Sequence, residues 1–148
     1  MGVSELTSCE GTVLVADDEP SVLKLAQRTL ERKGFQVLTA TRGDMALDLF
    51  KANRQDIVLA IVDFSMPGID GAELIEHFHE AQPNLSVVLT SGLDLAWFPA
   101  ELITKPNVEF IQKPFRINSL LLCLEELMAC QASSPKKNFN NLVVRSIS

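Results

Sequence analysis

Five short apolar runs, separated by stretches of amphipathic chain, set the narrowest limit on what this sequence can fold into. Residues 12–16 (TVLVA), 36–40 (QVLTA), 57–62 (IVLAIV), 86–89 (SVVL) and 108–112 (VEFIQ) are rich in β-branched and aliphatic side chains. Strands that are apolar throughout are buried on both faces, which is the mark of a parallel sheet. The stretches between them read as helices. Pro20 and Ser21 open the first, with Val22, Leu23, Leu25, Ala26 and Leu30 at core spacing and Gly34 as its stop. Residues 44–52 form a weaker helix with Met45, Ala46, Leu49 and Phe50 on one side, and residues 71–80 turn Leu74, Ile75 and Phe78 inward. Residues 94–103 are a poor helix interrupted by Pro99, and residues 117–128 a strong one, with Leu120, Leu121, Leu124 and Leu127 at helical spacing. This alternation predicts an α/β fold, a five-stranded parallel sheet doubly wound with five helices. Such sheets carry their sites at the carboxyl ends of the strands.

Chemistry-bearing residues collect at those ends. The first strand runs into Asp17-Asp18-Glu19, the third into Asp63, the fourth into Thr90-Ser91-Gly92 and the fifth into Lys113-Pro114. Clustered carboxylates repel and raise one another's pKa, and a hard divalent cation with oxygen ligands removes that repulsion. Asp63 can then act as a nucleophile through one oxygen, with Lys113 supplying a point charge for phosphate oxygens and the hydroxyl a hydrogen bond. Taken singly, each feature has a plainer reading. An Asp-Asp pair after a strand caps a helix, an Asp before a turn shapes the turn, and a Lys-Pro lies on the surface. Glu19 reads as an ordinary first-turn acid that suits the helix dipole. The plainer readings do not explain why four such features fall on one rim.

The segments VADDEP (15–20), VDFSMPGIDG (62–71) and FIQKPF (110–115) resemble the acidic-pair, phosphoacceptor and lysine-proline motifs of response-regulator receiver domains in two-component signalling. The resemblance covers residues 12–130 and extends to receivers of hybrid histidine kinases. It implies the flavodoxin-like receiver fold and transfer of a phosphoryl group from a histidine kinase's phosphohistidine, or from a phosphotransfer protein, onto Asp63. It also implies Mg2+ as the cofactor, bound directly by Asp18 and Asp63, largely through water by Asp17, and by the main-chain carbonyl of Ser65. Slow autodephosphorylation follows, in a protein that is mainly a switch and only marginally an enzyme. The switch hydroxyl is Ser91 or Thr90. Ser91, followed by Gly92 and 22 residues before Lys113, fits the family pattern better. Phe110 stands at the family's switching aromatic, and the chain has no tyrosine there or anywhere else. The resemblance places a downstream protein partner on the surface of the fourth helix, fifth strand and fifth helix. Trp97 and Phe98 fall in that region as either a partner site or core.

The 148 residues suit one domain. Residues 1–11 read as an extension, 12–130 as the receiver and 131–148 as a flexible tail. Net charge is −6, and the tail contributes +3, which leaves −9 on residues 1–130. A body that acidic argues against direct nucleic-acid binding. The three cysteines show no metal-ligand spacing, and the chain shows neither a secretory leader nor an apolar run of the ~20 residues that span a bilayer. The expected location is therefore the cytoplasm, without membrane contact. Neither a G-x-G-x-x-G nor a Walker loop occurs. An Asp-nucleophile phosphatase of the haloacid-dehalogenase type wants a second Asp where Ser65 stands. The main alternative is a pseudo-receiver that binds partners without phosphorylation.

Overall fold

The computed structural model describes residues 11–114, 116, 118–122 and 125. The tail, nearly all of the N-terminal extension, the three cysteines and the end of the last helix lie outside the described residues. The elements follow in the order β1 (Thr12–Ala16), α1 (Pro20–Arg32), β2 (Gln36–Ala40), α2 (Gly43–Asn53), β3 (Ile57–Asp63), α3 (Gly71–Ala81) and β4 (Ser86–Ser91). A 3-10 turn (Leu95–Trp97), α4 (Ala100–Ile103) and β5 (Val108–Gln112) come next. Residues 118–122 are helical and belong to the fifth helix, α5.

All strand pairs are parallel and the sheet order is β2-β1-β3-β4-β5. The two-residue period of the strands divides the apolar residues between two cores. Leu14, Ala16, Ala60, Val62, Leu89 and Phe110 face one way, under Phe50 of α2, Phe78 of α3 and Leu102 of α4. Val13, Val15, Leu59, Ile61, Val88 and Ile111 face the other, under Leu23, Ala26 and Leu30 of α1 and Leu120 of α5. Both faces of β1 and β4 are buried at every residue, whereas β2, at the sheet edge, is buried only at Ala40.

Helix α1 stops where its sequence tells it to. Gly34 takes φ +103, its N–H donates to the carbonyl of Glu31, and Phe35 N–H donates to that of Leu30. This closes a Schellman motif, and only glycine adopts that φ without strain. Leu30 and Phe35, the apolar pair such a motif brings together, are both buried.

Three expectations need correction. Leu25 and Met45 are exposed, because α1 buries only Leu23, Ala26 and Leu30 and α2 turns Ala46 and Phe50 inward. Strands β3 and β4 run further than their apolar runs, through Asp63 and Ser91, since backbone pairing continues past the last apolar side chain. Around Pro99 the chain forms two short pieces. Pro99 is the N-cap of α4, and the 3-10 turn before it holds Trp97 at the surface while Phe98 is buried.

Candidate functional site

Sheet order puts β1 and β3 side by side at its centre, with α1 and α2 leaving β1 and β2 for opposite faces. The crevice above the carboxyl ends of β1 and β3 is where Asp17, Asp18 and Asp63 meet. One carboxylate oxygen from each lies within 4.8 Å of the others. Asp17 and Asp63 are buried, at 2% and 5% exposure, while Asp18 faces solvent.

Backbone bonds tie the neighbouring strand ends to this point. Phe64 N–H donates to the Thr90 carbonyl at 2.8 Å, and Lys113 N–H donates to the Ser91 carbonyl at 2.7 Å. The loop after β3 is closed by Gly71, whose N–H donates to the Phe64 carbonyl at 2.9 Å. A Cβ on Gly71 would lie 2.7 Å from the Phe64 Cα, so any larger residue would push the loop off the acceptor strand. Asp70 caps α3 by accepting from Glu73 N–H at 2.9 Å, which fixes the other end of the same loop.

Lys113 extends its ammonium into the acidic group. Its Nζ lies 2.8 Å from Asp17 Oδ2, 3.3 Å from Asp63 Oδ2 and 3.3 Å from Glu19 Oε1. Burial pushes the Asp63 carboxyl up to about 6, the Asp17 charge adds to this, and Lys113 and the Ser65 N–H oppose it. Burial disfavours the Lys113 cation, but the hydrogen bond and charge of Asp17, with those of Asp63 and Glu19, outweigh it and raise its pKa above the ordinary lysine value. Three carboxylates thus face a single ammonium, and Asp18 adds a fourth acid to the cluster. A divalent cation fits this donor set: hard oxygen ligands, an excess of negative charge, and one ligand open to water.

The three aspartates and Lys113 picked out in the sequence come together. Ser65 reaches the site through its N–H, which donates to Asp63 Oδ1 at 3.3 Å. Thr90 is the register partner of Asp63, and its Oγ1 donates to the Val62 carbonyl at 3.5 Å. Ser91 Oγ accepts from Leu93 N–H at 3.0 Å. Both hydroxyl residues are buried, and alternation along β4 sends their side chains to opposite faces. Phe110 is buried with its ring 5.2 Å from that of Phe98, which in turn meets Phe64 edge-on at 4.6 Å.

With this geometry in place, the chain compares directly with known proteins. The model of the response regulator receiver domain matches residues 13–125.

The chain belongs to the response regulator receiver domain family.

It is 28% identical over 117 residues to the probable transcriptional regulatory protein TcrX of Mycobacterium tuberculosis, covering 79% of this chain and 49% of that one. It is 27% identical over 131 residues to the sensor kinase CckA of Brucella abortus, covering 87% of this chain and 14% of that one. The crystal structure of a response regulator receiver domain protein from Clostridium thermocellum superposes with a TM-score of 0.73 at 28% identity, over 82% of this chain and 96% of that one. The chain therefore spans about half the length of TcrX and a small part of CckA. No helix among the described residues is long and apolar enough to cross a membrane.

The sequence presents Glu19 as an ordinary first-turn acid, and the structure gives it a different place. Glu19 is the N-cap of α1, yet its side chain makes no cap bond. It turns to Lys113 instead. The signal was available in the third acid of the Asp-Asp-Glu run, but its partner stands 94 residues away.

Proposed function

We propose that this receiver accepts a phosphoryl group on Asp63 from the phosphohistidine of a histidine kinase or phosphotransfer protein. The observation that carries this reading is the approach of Lys113 Nζ to Asp63 Oδ2 beside the shared oxygen cluster of Asp17, Asp18 and Asp63. Asp17, Asp18, Asp63 and the Ser65 carbonyl would hold Mg2+, which supplies charge neutralisation for the incoming phosphoryl oxygens. The Asp63 carboxylate forms the new P–O bond while the P–N bond to the donor imidazole breaks. The ring leaves with the electron pair and becomes neutral once it carries one proton. Lys113 orients the phosphoryl group through a charge-assisted hydrogen bond. Ser91, with Thr90 as the alternative, donates a hydrogen bond to a phosphoryl oxygen. Phe110 and the α4, β5 and α5 surface answer that movement and meet a downstream protein. The chain acts in the cytoplasm, and its acidic body keeps it off nucleic acid.

A complete set of carboxylates, lysine and buried hydroxyls favours this reading over a phosphorylation-independent pseudo-receiver. The test is intact mass after incubation with acetyl phosphate. Wild type should gain one phosphoryl group with Mg2+ and none with a chelator present. A chain that never gains the mass, with Mg2+ and donor in excess, is a pseudo-receiver.

A further inference from the structure

Glu19 is the charged group at the site to which phosphotransfer assigns no task. Its backbone is fixed: its N–H donates to Asp17 Oδ1 at 2.9 Å, its carbonyl accepts from Val22 and Leu23, and Pro20 follows it. Only the side chain is free to move. It is 59% exposed and borders a cleft of about 430 Å³ lined also by Val22, Leu25, Gly92, Lys113 and Pro114.

We propose that Glu19 is a positioning residue that holds the Lys113 ammonium until a phosphoryl oxygen takes its place. The inference rests on the phosphoacceptor reading of Asp63. An ammonium has three N–H donors, and Lys113 faces three acceptors: Asp17 Oδ2, Asp63 Oδ2 and Glu19 Oε1. A phosphoryl oxygen on Asp63 is a fourth acceptor, so one contact must give way. Asp17 holds the shortest contact from a side chain only 3% exposed, and losing its partner would strand a buried carboxylate. Asp63 carries the phosphoryl group itself. Glu19 returns to water at little cost, because exposed ion pairs contribute little. It is therefore the contact that exchanges.

While Glu19 holds Lys113, it competes with the incoming group. Removing its charge should release the lysine and speed transfer from a small anionic donor. With acetyl phosphate the donor P–O bond breaks, acetate leaves with the electron pair, and Asp63 forms the new P–O bond. Glu19→Gln should raise the initial rate about two- to five-fold, the range that an exposed ion pair supports. The gain should shrink at high salt. It should vanish when Glu19→Gln is combined with Lys113→Gln, since the effect runs through the lysine.

A second readout needs neither metal nor donor. In metal-free protein, the Lys113 ammonium signal in nitrogen-resolved NMR should exchange faster with water in Glu19→Gln than in wild type. Equal rates and equal exchange in the two proteins would overturn the role of Glu19 while leaving Asp63 phosphorylation intact. A gain that persists in the Lys113→Gln background would also overturn it, since Glu19 would then act only as a repelling charge. Failure of wild type to take up phosphoryl mass would overturn the phosphoacceptor reading of Asp63 and this inference with it.

Discussion

Asp63 is buried beside Asp17, and Lys113 compensates its charge only in part. Burial pushes its carboxyl up to about 6 in the folded protein, against 3.8 for an unperturbed aspartate. The folded state therefore holds this proton more tightly than the unfolded one. The resulting stability is fully present below about 3.8 and is lost as pH rises through about 6. At neutral pH the ionised Asp63 works against the fold. Asp63→Asn, which cannot ionise, should stabilise the metal-free protein by about 1–2 kcal/mol at pH 7.5. That is less than the full shift implies, because solvent reaches the site from the Asp18 side. The advantage should fade toward pH 4. Denaturant titrations with a chelator present at the two pH values check this. A variant no more stable than wild type at pH 7.5 would mean that Lys113 already neutralises Asp63.

At the scale of elements, the β4–β5 connection is the least regular part of the described fold. Helix α4 has only four residues, too few to hold itself together. Its attachment comes from Phe98 and Leu102, both buried, with Phe98 wedged between Phe64 and Phe110. Phe98→Ala should cost about 3–5 kcal/mol in chemical denaturation. Trp97→Ala should cost under about 0.5 kcal/mol, since the indole is 73% exposed. A comparable loss from both would show that Trp97 packs in solution. Phosphorylation should move amide resonances from residue 91 to residue 112, and Ser91→Ala should suppress most of that movement. If Thr90→Ala suppresses it instead, the hydroxyl beside Asp63 in the sheet register is the switch.

The same segment shows where sequence stops being informative. The strands were legible because short continuous apolar runs mark strands buried on both faces, and helix α3 because spacing of period 3.6 is a local property. The aspartates and Lys113 were legible because a parallel sheet brings every strand's carboxyl end to one rim. The exposure of Leu25 is not legible in the sequence, because α1 offers two apolar stripes and only tertiary packing chooses between them. Leu25 belongs to the stripe with Val22 that borders the cleft beside Lys113. Trp97 and Phe98 are adjacent and equally apolar, so only the turn before Pro99 separates a surface ring from a core ring. Glu19 depends on a contact across the whole domain, which no local pattern encodes.

For the molecule as a whole, the fold is a frame that brings Asp17, Asp18, Asp63 and Lys113 together at one rim of the sheet. Membership in the receiver family and the five-stranded parallel sheet establish the frame. The chemistry at Asp63 is the central claim. It is tested most directly by locating the phosphoryl group. Borohydride reduces an acyl phosphate to an alcohol, so a phosphorylated aspartate becomes homoserine. The protein should be phosphorylated with acetyl phosphate and Mg2+, reduced, digested and sequenced by mass spectrometry. The account predicts homoserine at position 63 alone, with Asp17 and Asp18 unchanged and no conversion when Mg2+ is withheld. Homoserine at position 17 or 18, or a stable phosphoryl mass with position 63 still aspartate, would contradict it.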